Sequence, residues 1–279
     1  MTDHHVDRLG VTLIVRRDRL LRPGHLVPML VSHLERSGAQ VGIVDPDVEP
    51  VPLHGLRSGD VDVYVLVSPT DAALSLAGAL ERTGGTVFPA YAVAAGCRDK
   101  IVQTAVLAHA GLPVPASWLT VHPESLDAAL KRGPLLVKDP RGSRGQGLHL
   151  VRHPDDLWRL SRGTPWLVMR YHPPDGPDLK LYRIGDEVLG VARVFPARSM
   201  ADKVGRRLDV TAELRDLAVR CSDAFGTTVC GVDVIRSDDR LWVVDMSSFP
   251  GFKGVPEAAA RIARVIVTRA RAQHLERAS

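Results

Sequence analysis

Two aspartates interrupt apolar runs late in the chain: Asp233 in CGVDVI and Asp245 in LWVVDMSS. Burying an unpaired carboxylate is costly, so each must be paired, protonated or bound to a cation. In an extended strand residues two apart share a face, which sets Ser247 beside Asp245. The short link RSDDR (236–240) predicts a hairpin that makes the two runs antiparallel neighbours. Two carboxylates and a hydroxyl then converge on one face. Carboxylates that close repel unless a cation lies between them or they share a proton. An all-oxygen ligand set suits Mg²⁺, a metal that commonly accompanies nucleotide phosphates. Pairing of Asp233 with an arginine such as Arg193 is the competing arrangement.

A second constellation is LLVKDPRGSRGQG, in which Lys138 ends a strand-like run and glycines follow at 142, 145 and 147, with Ser143 between them. Loops of this kind let backbone N–H groups approach phosphate oxygens while a lysine adds a point charge. The lysine precedes the glycines and no helix follows, so this is not a Walker A loop. Taken alone, such a hairpin is more often just a flexible turn. Lys100, in CRDKIVQT, sits at the start of a helical stretch, where a lone lysine is ordinarily solvated.

The elements that must hold these residues alternate between strand and helix. Strands are expected at 9–15, 39–46, 61–67 and 86–90, with helices at 24–38 and 71–85, the pattern of a parallel α/β sheet. No Gly-x-Gly-x-x-Gly turn follows the first strand, so this Rossmann-like region is not expected to bind a dinucleotide. Further on, helices are expected at 98–111, 123–133, 154–163 and 211–226, with a terminal helix from about Pro256. Strands are expected on both sides of the Gly-rich loop (134–151), at 165–172, in a hairpin over 178–195, and in the two aspartate-bearing runs. The polar, basic stretch 196–210 reads as a mobile loop. Three units follow: an N-terminal α/β lobe (1–95), a small lobe with the Gly-rich loop (96–165) and a C-terminal lobe with the aspartate strands (166–279).

Composition narrows the function. The 279 residues are 45% hydrophobic and 24% charged, ordinary for a globular protein. Aromatic residues make up only 5%, too few for stacking platforms on single-stranded nucleic acid. A net charge of +4 favours a small anionic ligand over a DNA-wrapping surface. No signal peptide or membrane span is expected. The three cysteines, Cys97, Cys221 and Cys230, lack metal-type spacing and read as reduced thiols of a cytoplasmic protein. The histidines show no zinc-type pairing. Arg16, Arg17, Arg19, Arg22, Arg198, Lys203, Arg206 and Arg207 are available for an acidic substrate, or form a solvated basic face.

In order and spacing, these motifs resemble the ATP-grasp superfamily over about residues 98–257. RDKIVQTAVLAHAGLPVPASW resembles its first-lysine helix and Pro-rich strand entry, and LLVKDPRGSRGQGLHLV its second-lysine strand and phosphate-covering loop. WLVMRYHPPDGPDLKLYRIGDEVLGVAR is similar to its hinge strand and following hairpin, and CGVDVI with LWVVDMSSFPGFKGV to its magnesium strands and turn. The resemblance implies an α/β, ATP-grasp fold, two α+β lobes gripping ATP, preceded by a small Rossmann-like lobe. It implies that Lys100 and Lys138 contact the α- and β-phosphates, with Gly142, Ser143, Gly145 and Gly147 in the covering loop. Backbone around Met169, Arg170 and Tyr171 would hold adenine, with Asp178 or Lys180 near ribose or phosphates. Mg²⁺ would lie on Asp233, Asp245 and Ser247, and Arg193 would be the cation near the transferred phosphate. Ser247 stands where the family usually has asparagine, and Met169-Arg170 where ligases often have Gln-Glu.

The implied activity is that of an ATP-dependent, ADP-forming carboxylate–amine ligase, working through an acyl phosphate on a small acidic, amino-acid-like or peptide substrate. This is the pattern of the ribosomal-protein-modifying glutamate ligase and glutathione synthetase group. The turn DMSSFPGF also resembles inositol trisphosphate kinases, so a small-molecule kinase and a weakened nucleotide-binding protein are the alternatives. No membrane partner is implied, and dimers or tetramers are common among such proteins.

Overall fold

The computed structural model describes residues 9–22, 24–54, 56, 61–142, 147–194 and 199–278. The chain begins with β1 (Gly10–Ile14), α1 (Leu26–Arg36), β2 (Gln40–Val44), β3 (Val63–Leu66), α2 (Asp71–Arg82) and β4 (Val87–Phe88). The four strands form a parallel sheet in the order β2-β1-β3-β4. Alternation along β1 and β3 sends Val11, Leu13, Val63 and Val65 to one face and Ile14, Tyr64 and Leu66 to the other. Each face is covered by a helix: α1 buries Val27, Leu30 and Leu34 on the first, and α2 buries Ala73, Leu76, Ala77 and Leu80 on the second. Thr70 caps α2 by accepting the Ala73 N–H at 3.2 Å.

A helix at 91–98 is absent from the sequence reading, and the expected 98–111 helix is observed two residues shorter at each end. Tyr91–Arg98 forms α3 and Lys100–His109 forms α4. Asp99 breaks the run because its carboxylate accepts the Ile101 N–H at 2.9 Å and the Val102 N–H, capping α4 and placing Lys100 in its first turn. Then come β5 (Ser117–Thr120), a 3-10 turn at Pro123–Leu126, α5 (Asp127–Leu130), β6 (Leu135–Lys138), β7 (Leu148–Val151), α6 (Pro154–Trp158) and β8 (Trp166–Arg170). The expected helices at 123–133 and 154–163 are thus short turns of helix. Their strands form an antiparallel sheet ordered β5-β8-β6-β7, so Trp166–Arg170 pairs with the strands before it rather than with those after it.

The remaining elements are β9 (Asp178–Ile184), β10 (Glu187–Arg193), α7 (Met200–Val204), β11 (Arg206–Leu208), α8 (Ala212–Ala224), β12 (Val229–Ser237), β13 (Arg240–Ser247) and α9 (Ala258–Ala278). The strands form an antiparallel sheet in the order β11-β10-β9-β12-β13. The expectation of a mobile loop over 196–210 is corrected for Ser199–Leu208: a capping box at Ser199 and Asp202 starts α7, and β11 pairs with β10. Residues 195–198 lie outside the described set. One face of this sheet packs on α8 through Leu214, Leu217, Ala218 and Cys221. On the other face Tyr182, Ile184, Val191 and Val229 join the core of the N-terminal sheet, together with Phe249, Phe252 and residues of α9.

Helix α9 therefore belongs to both ends of the chain. Ile262, Ala263, Ile266 and Ala270 are buried against α1 and the first sheet. Its last turns are fastened by Asp62, which is 2% exposed. Asp62 accepts the Gly10 N–H at 2.8 Å and faces His274 Nδ1 at 3.1 Å and Arg277 Nη1 at 3.4 Å. Removing one member of a buried charged cluster strands the others without water. Asp62→Ala is therefore expected to lower the unfolding free energy by about 3 kcal/mol in urea titration, whereas Asp62→Asn, which keeps an acceptor for Gly10, costs less.

Candidate functional site

The site is built on a transverse row of the five-stranded sheet. Residues directly opposite in an antiparallel pair share a face, and the register reads Arg207↔Val191, Val191↔Lys180, Lys180↔Asp233 and Asp233↔Asp245. Asp233 and Asp245 are thus immediate neighbours, as the hairpin reading expects. The pairing slips just beyond them, between Asp233 and Val234, which leaves Val244 as an extra residue. Ser247 lies opposite Gly231 in the next row on the same face. A Cβ on Gly231 would stand 2.9 Å from both Lys180 Cε and Pro250 Cγ, so only glycine lets the lysine and the turn close over this strand.

Asp233 has a cationic partner, and it is Lys180 rather than Arg193: Nζ lies 2.7 Å from Oδ2, with the Lys180 side chain 6% exposed and Asp233 33% exposed. Arg193 instead donates to the Tyr182 hydroxyl and, at 3.2 Å, to the Lys253 carbonyl, while its buried Nε makes no hydrogen bond. Asp178 lies opposite Arg193 across β9 and β10. Burial, followed by the Asp233 charge, pushes its carboxyl up from 3.8 to about 6.

The second sheet supplies two further lysines. Lys138, at the end of β6, reaches across to β13 and donates to the Val244 carbonyl at 2.9 Å. Burial draws its ammonium below the ordinary lysine range; Asp245 opposes that shift, Lys100 adds to it, and Asp233 opposes it again. Lys138 therefore senses both carboxylates and Lys100. Lys100 donates to the Gly142 carbonyl at 2.6 Å, and Arg98 donates to the Arg141 carbonyl, so two cations hold the near stem of the Gly-rich loop. The stem closes where Asp139 N–H meets the Gly147 carbonyl at 2.9 Å. Gly147 has φ +69°, and a Cβ there would come within 2.7 Å of Asp139 Cβ. Ser143 and Gly145 lie outside the described residues.

One face of the second sheet carries Leu119, Leu136, Lys138, Leu148, Leu150, Leu167 and Met169, because these positions are mutually opposed in register. The other carries Leu135, Val137, Val151 and Val168, which pack on the short helices. The three hinge residues split between roles. Met169 is buried on the Lys138 side. Arg170 turns away, donating to the carbonyls of Gly133, Pro134 and Ala129 and lying over Trp118. The N–H groups of Arg170 and Tyr171 are already donated, to Ala116 O at 2.7 Å and Pro134 O at 3.0 Å. His172 stacks on Trp242 of β13 at 4.0 Å between centroids.

Of the basic residues noted in the sequence, Arg16, Arg17 and Arg22 are engaged with Asp18 or Glu49. Arg198 lies outside the described residues. Gln103, Tyr182 and Lys253 escape the sequence reading. Tyr182 alone carried a signal, the period-two spacing from Asp178 and Lys180 that puts all three on one face.

Apolar sheet face, loop-bearing lysines and acidic strand pair, split between two α+β lobes, define the ATP-grasp class of nucleotide-binding enzymes. A family model described as "RimK-like ATP-grasp domain" matches residues 97–268, and the chain belongs to that family. Among curated relatives it is 27% identical over 245 residues to the glutamate–LysW ligase ArgX of Sulfurisphaera tokodaii, covering 81% of this chain and 86% of the relative. It is 28% identical over 136 residues to the coenzyme γ-F420-2:α-L-glutamate ligase of Methanocaldococcus jannaschii, 44% of this chain and 46% of that protein. The solved RimK domain protein of Sphaerobacter thermophilus superposes with a TM-score of 0.72 at 22% identity, covering 92% of this chain and 99% of that one. The ligase PsnB, complexed with a minimal precursor, Mg and ADP, gives 0.70 at 19% identity, covering 97% and 99%. The relatives are ligases, which fits the ligase reading and not the kinase alternative. No helix among the described residues is long and apolar enough to cross a membrane.

The acidic pair fits a hard divalent cation. The donors are all oxygen, two carboxylates in direct register with a hydroxyl one row away, and the Lys180 ammonium marks a place where positive charge already belongs. Among the described residues no group of three or more His, Cys, Asp or Glu side chains is placed to hold a metal ion.

The raised carboxyl at Asp178 has a measurable consequence. The folded form holds its proton more tightly than the unfolded chain, so this group favours the folded state at low pH, and that contribution is lost as pH rises from about 4 to about 6. Unfolding midpoints measured across that window are expected to fall more steeply for the parent protein than for Asp178→Asn.

Proposed function

We propose that the chain is an ATP- and Mg²⁺-dependent carboxylate–amine ligase that attaches an acidic amino acid, glutamate first among candidates, to a carboxylate on a small molecule, peptide or protein. The observation that carries this reading is the row Lys180–Asp233–Asp245, facing Lys138 and Lys100 from the other lobe. The amino-acid preference rests on the names of the relatives, which act on glutamate.

Each residue has a role in this reading. The face of Leu136, Leu148, Leu150 and Met169 receives the adenine ring, against the hinge at Met169–Tyr171. Lys138 and Lys100 leave the Val244 and Gly142 carbonyls to meet the α- and β-phosphates, and the loop from Gly142 to Gly147, with Ser143 and Gly145, closes over them. Asp233, Asp245 and Ser247 hold Mg²⁺, and Lys180 turns from Asp233 to phosphate oxygen; Asp178 lies at the ribose side. A divalent cation held by these three residues would supply positive charge against the charge that develops on phosphoryl transfer. Arg193, steadied by Tyr182 and the Lys253 carbonyl, faces the transferred group. The substrate carboxylate takes the phosphoryl group, and the amine displaces phosphate from the resulting acyl phosphate, leaving an amide, ADP and orthophosphate. Positioning and electrostatics suffice, so no nucleophilic side chain is called for. The three buried, unbridged cysteines suit a reducing cytoplasm.

ADP and orthophosphate should form in equal amounts, only when Mg-ATP, glutamate and a carboxylate acceptor are present together. ADP without orthophosphate, with phosphate retained on the acceptor, would overturn the reading. Asp245→Asn is expected to lower turnover by about 100-fold while leaving the thermal unfolding midpoint near that of the parent.

A further inference from the structure

Strand β13 lies at the edge of its sheet, so among the described residues its outward backbone groups have no strand to pair with. Three single groups take that place. The Pro113 carbonyl accepts the Val243 N–H at 2.8 Å, and Lys138 donates to the Val244 carbonyl at 2.9 Å. Gln103, in the first turns of α4, does both jobs at Met246: Oε1 accepts its N–H at 2.9 Å and Nε2 donates to its carbonyl at 2.8 Å. The second amide hydrogen goes to the Cys97 carbonyl at 2.9 Å, at the end of α3.

We propose that Gln103 is a positioning residue that fixes Asp245 for a divalent cation and ties it to the helix bearing Lys100. The proposal rests on the metal reading given above. Gln103 is only 2% exposed, a position where an apolar side chain would pack at no cost in unmet hydrogen bonds. A carboxamide there uses both amide hydrogens and its oxygen, and it presents donor and acceptor side by side as a peptide group does. Met246 lies between Asp245 and Ser247, so clamping its peptide sets both side chains at once. The Met246 N–H is also shared with Asp245 Oδ1 at 3.0 Å. Without Gln103 that N–H turns wholly to the carboxylate and draws a metal-binding oxygen towards the backbone. Lys100 lies three residues before Gln103 on α4, so the same side chain holds the phosphate lysine and the metal strand at a fixed spacing.

The test compares nucleotide binding with and without Mg²⁺, by calorimetric titration of ATP into the parent, Gln103→Met and Gln103→Asn. Gln103→Met keeps volume and removes the hydrogen bonds. It is expected to weaken the Mg²⁺-dependent gain by about tenfold or more and to lower metal-free ATP affinity far less. Gln103→Asn, whose shorter arm reaches one Met246 group, should fall between, and it carries the same comparison if the methionine variant does not fold. Parallel loss with and without metal would make Gln103 merely structural, and no loss in either would make it dispensable; both overturn the proposal. A parent protein that gains nothing from Mg²⁺ would instead defeat the metal reading itself, before any variant is compared.

Discussion

The register that sets Asp233 directly opposite Asp245 is the constraint around which the rest of the site is arranged. Two carboxylates forced to share one face of a sheet repel, and folding cannot separate them, because the hairpin that joins their strands fixes the pairing. The chain meets this by bringing cations from several directions. Lys180 arrives from the neighbouring strand, and Lys138 crosses from a different sheet to end beside Asp245. Gly231 has no side chain because one would block the route Lys180 takes. The β-bulge after Asp233 frees Val244 from pairing, and it is the Val244 carbonyl that anchors Lys138.

Each of the three site lysines rests on an oxygen of the protein itself: Lys180 on Asp233, Lys138 on Val244, Lys100 on Gly142. A buried ammonium without partners is expensive, so these contacts let the site exist without ligand. Under the proposed function, binding a polyphosphate would be an exchange of partners rather than the filling of an empty cage, with part of the attraction spent on releasing these internal contacts.

Much of this was legible in the sequence because strand alternation is a strong rule. Asp233, Asp245 and Ser247 could be placed on one face, and the hairpin predicted, from spacing and a five-residue link alone. The alternating βα pattern gave the first sheet for the same reason. Helix boundaries were less legible: Asp99 both ends one helix and caps the next, and no periodicity signals that an aspartate between Arg98 and Lys100 will act on the backbone. Arg170 read as a hinge residue whose backbone holds adenine, and its guanidinium is held by three carbonyls on the opposite side of the sheet, a set defined only once the 129–134 turn is in place. Gln103 left no trace at all, since its partner lies 143 residues away and a glutamine in a helix is ordinarily solvated.

The position of α9 has a consequence for how the molecule comes into being. The first sheet covers one of its faces partly with α1 and partly with a helix encoded some two hundred residues later. While the ribosome is still making the intervening lobes, Val11, Leu13, Val63 and Val65 lack half their cover, and the carboxylate of Asp62 waits for His274 and Arg277. The first sheet is therefore synthesised well before the helix that completes its cover, and it is among the last parts of this chain to become stable.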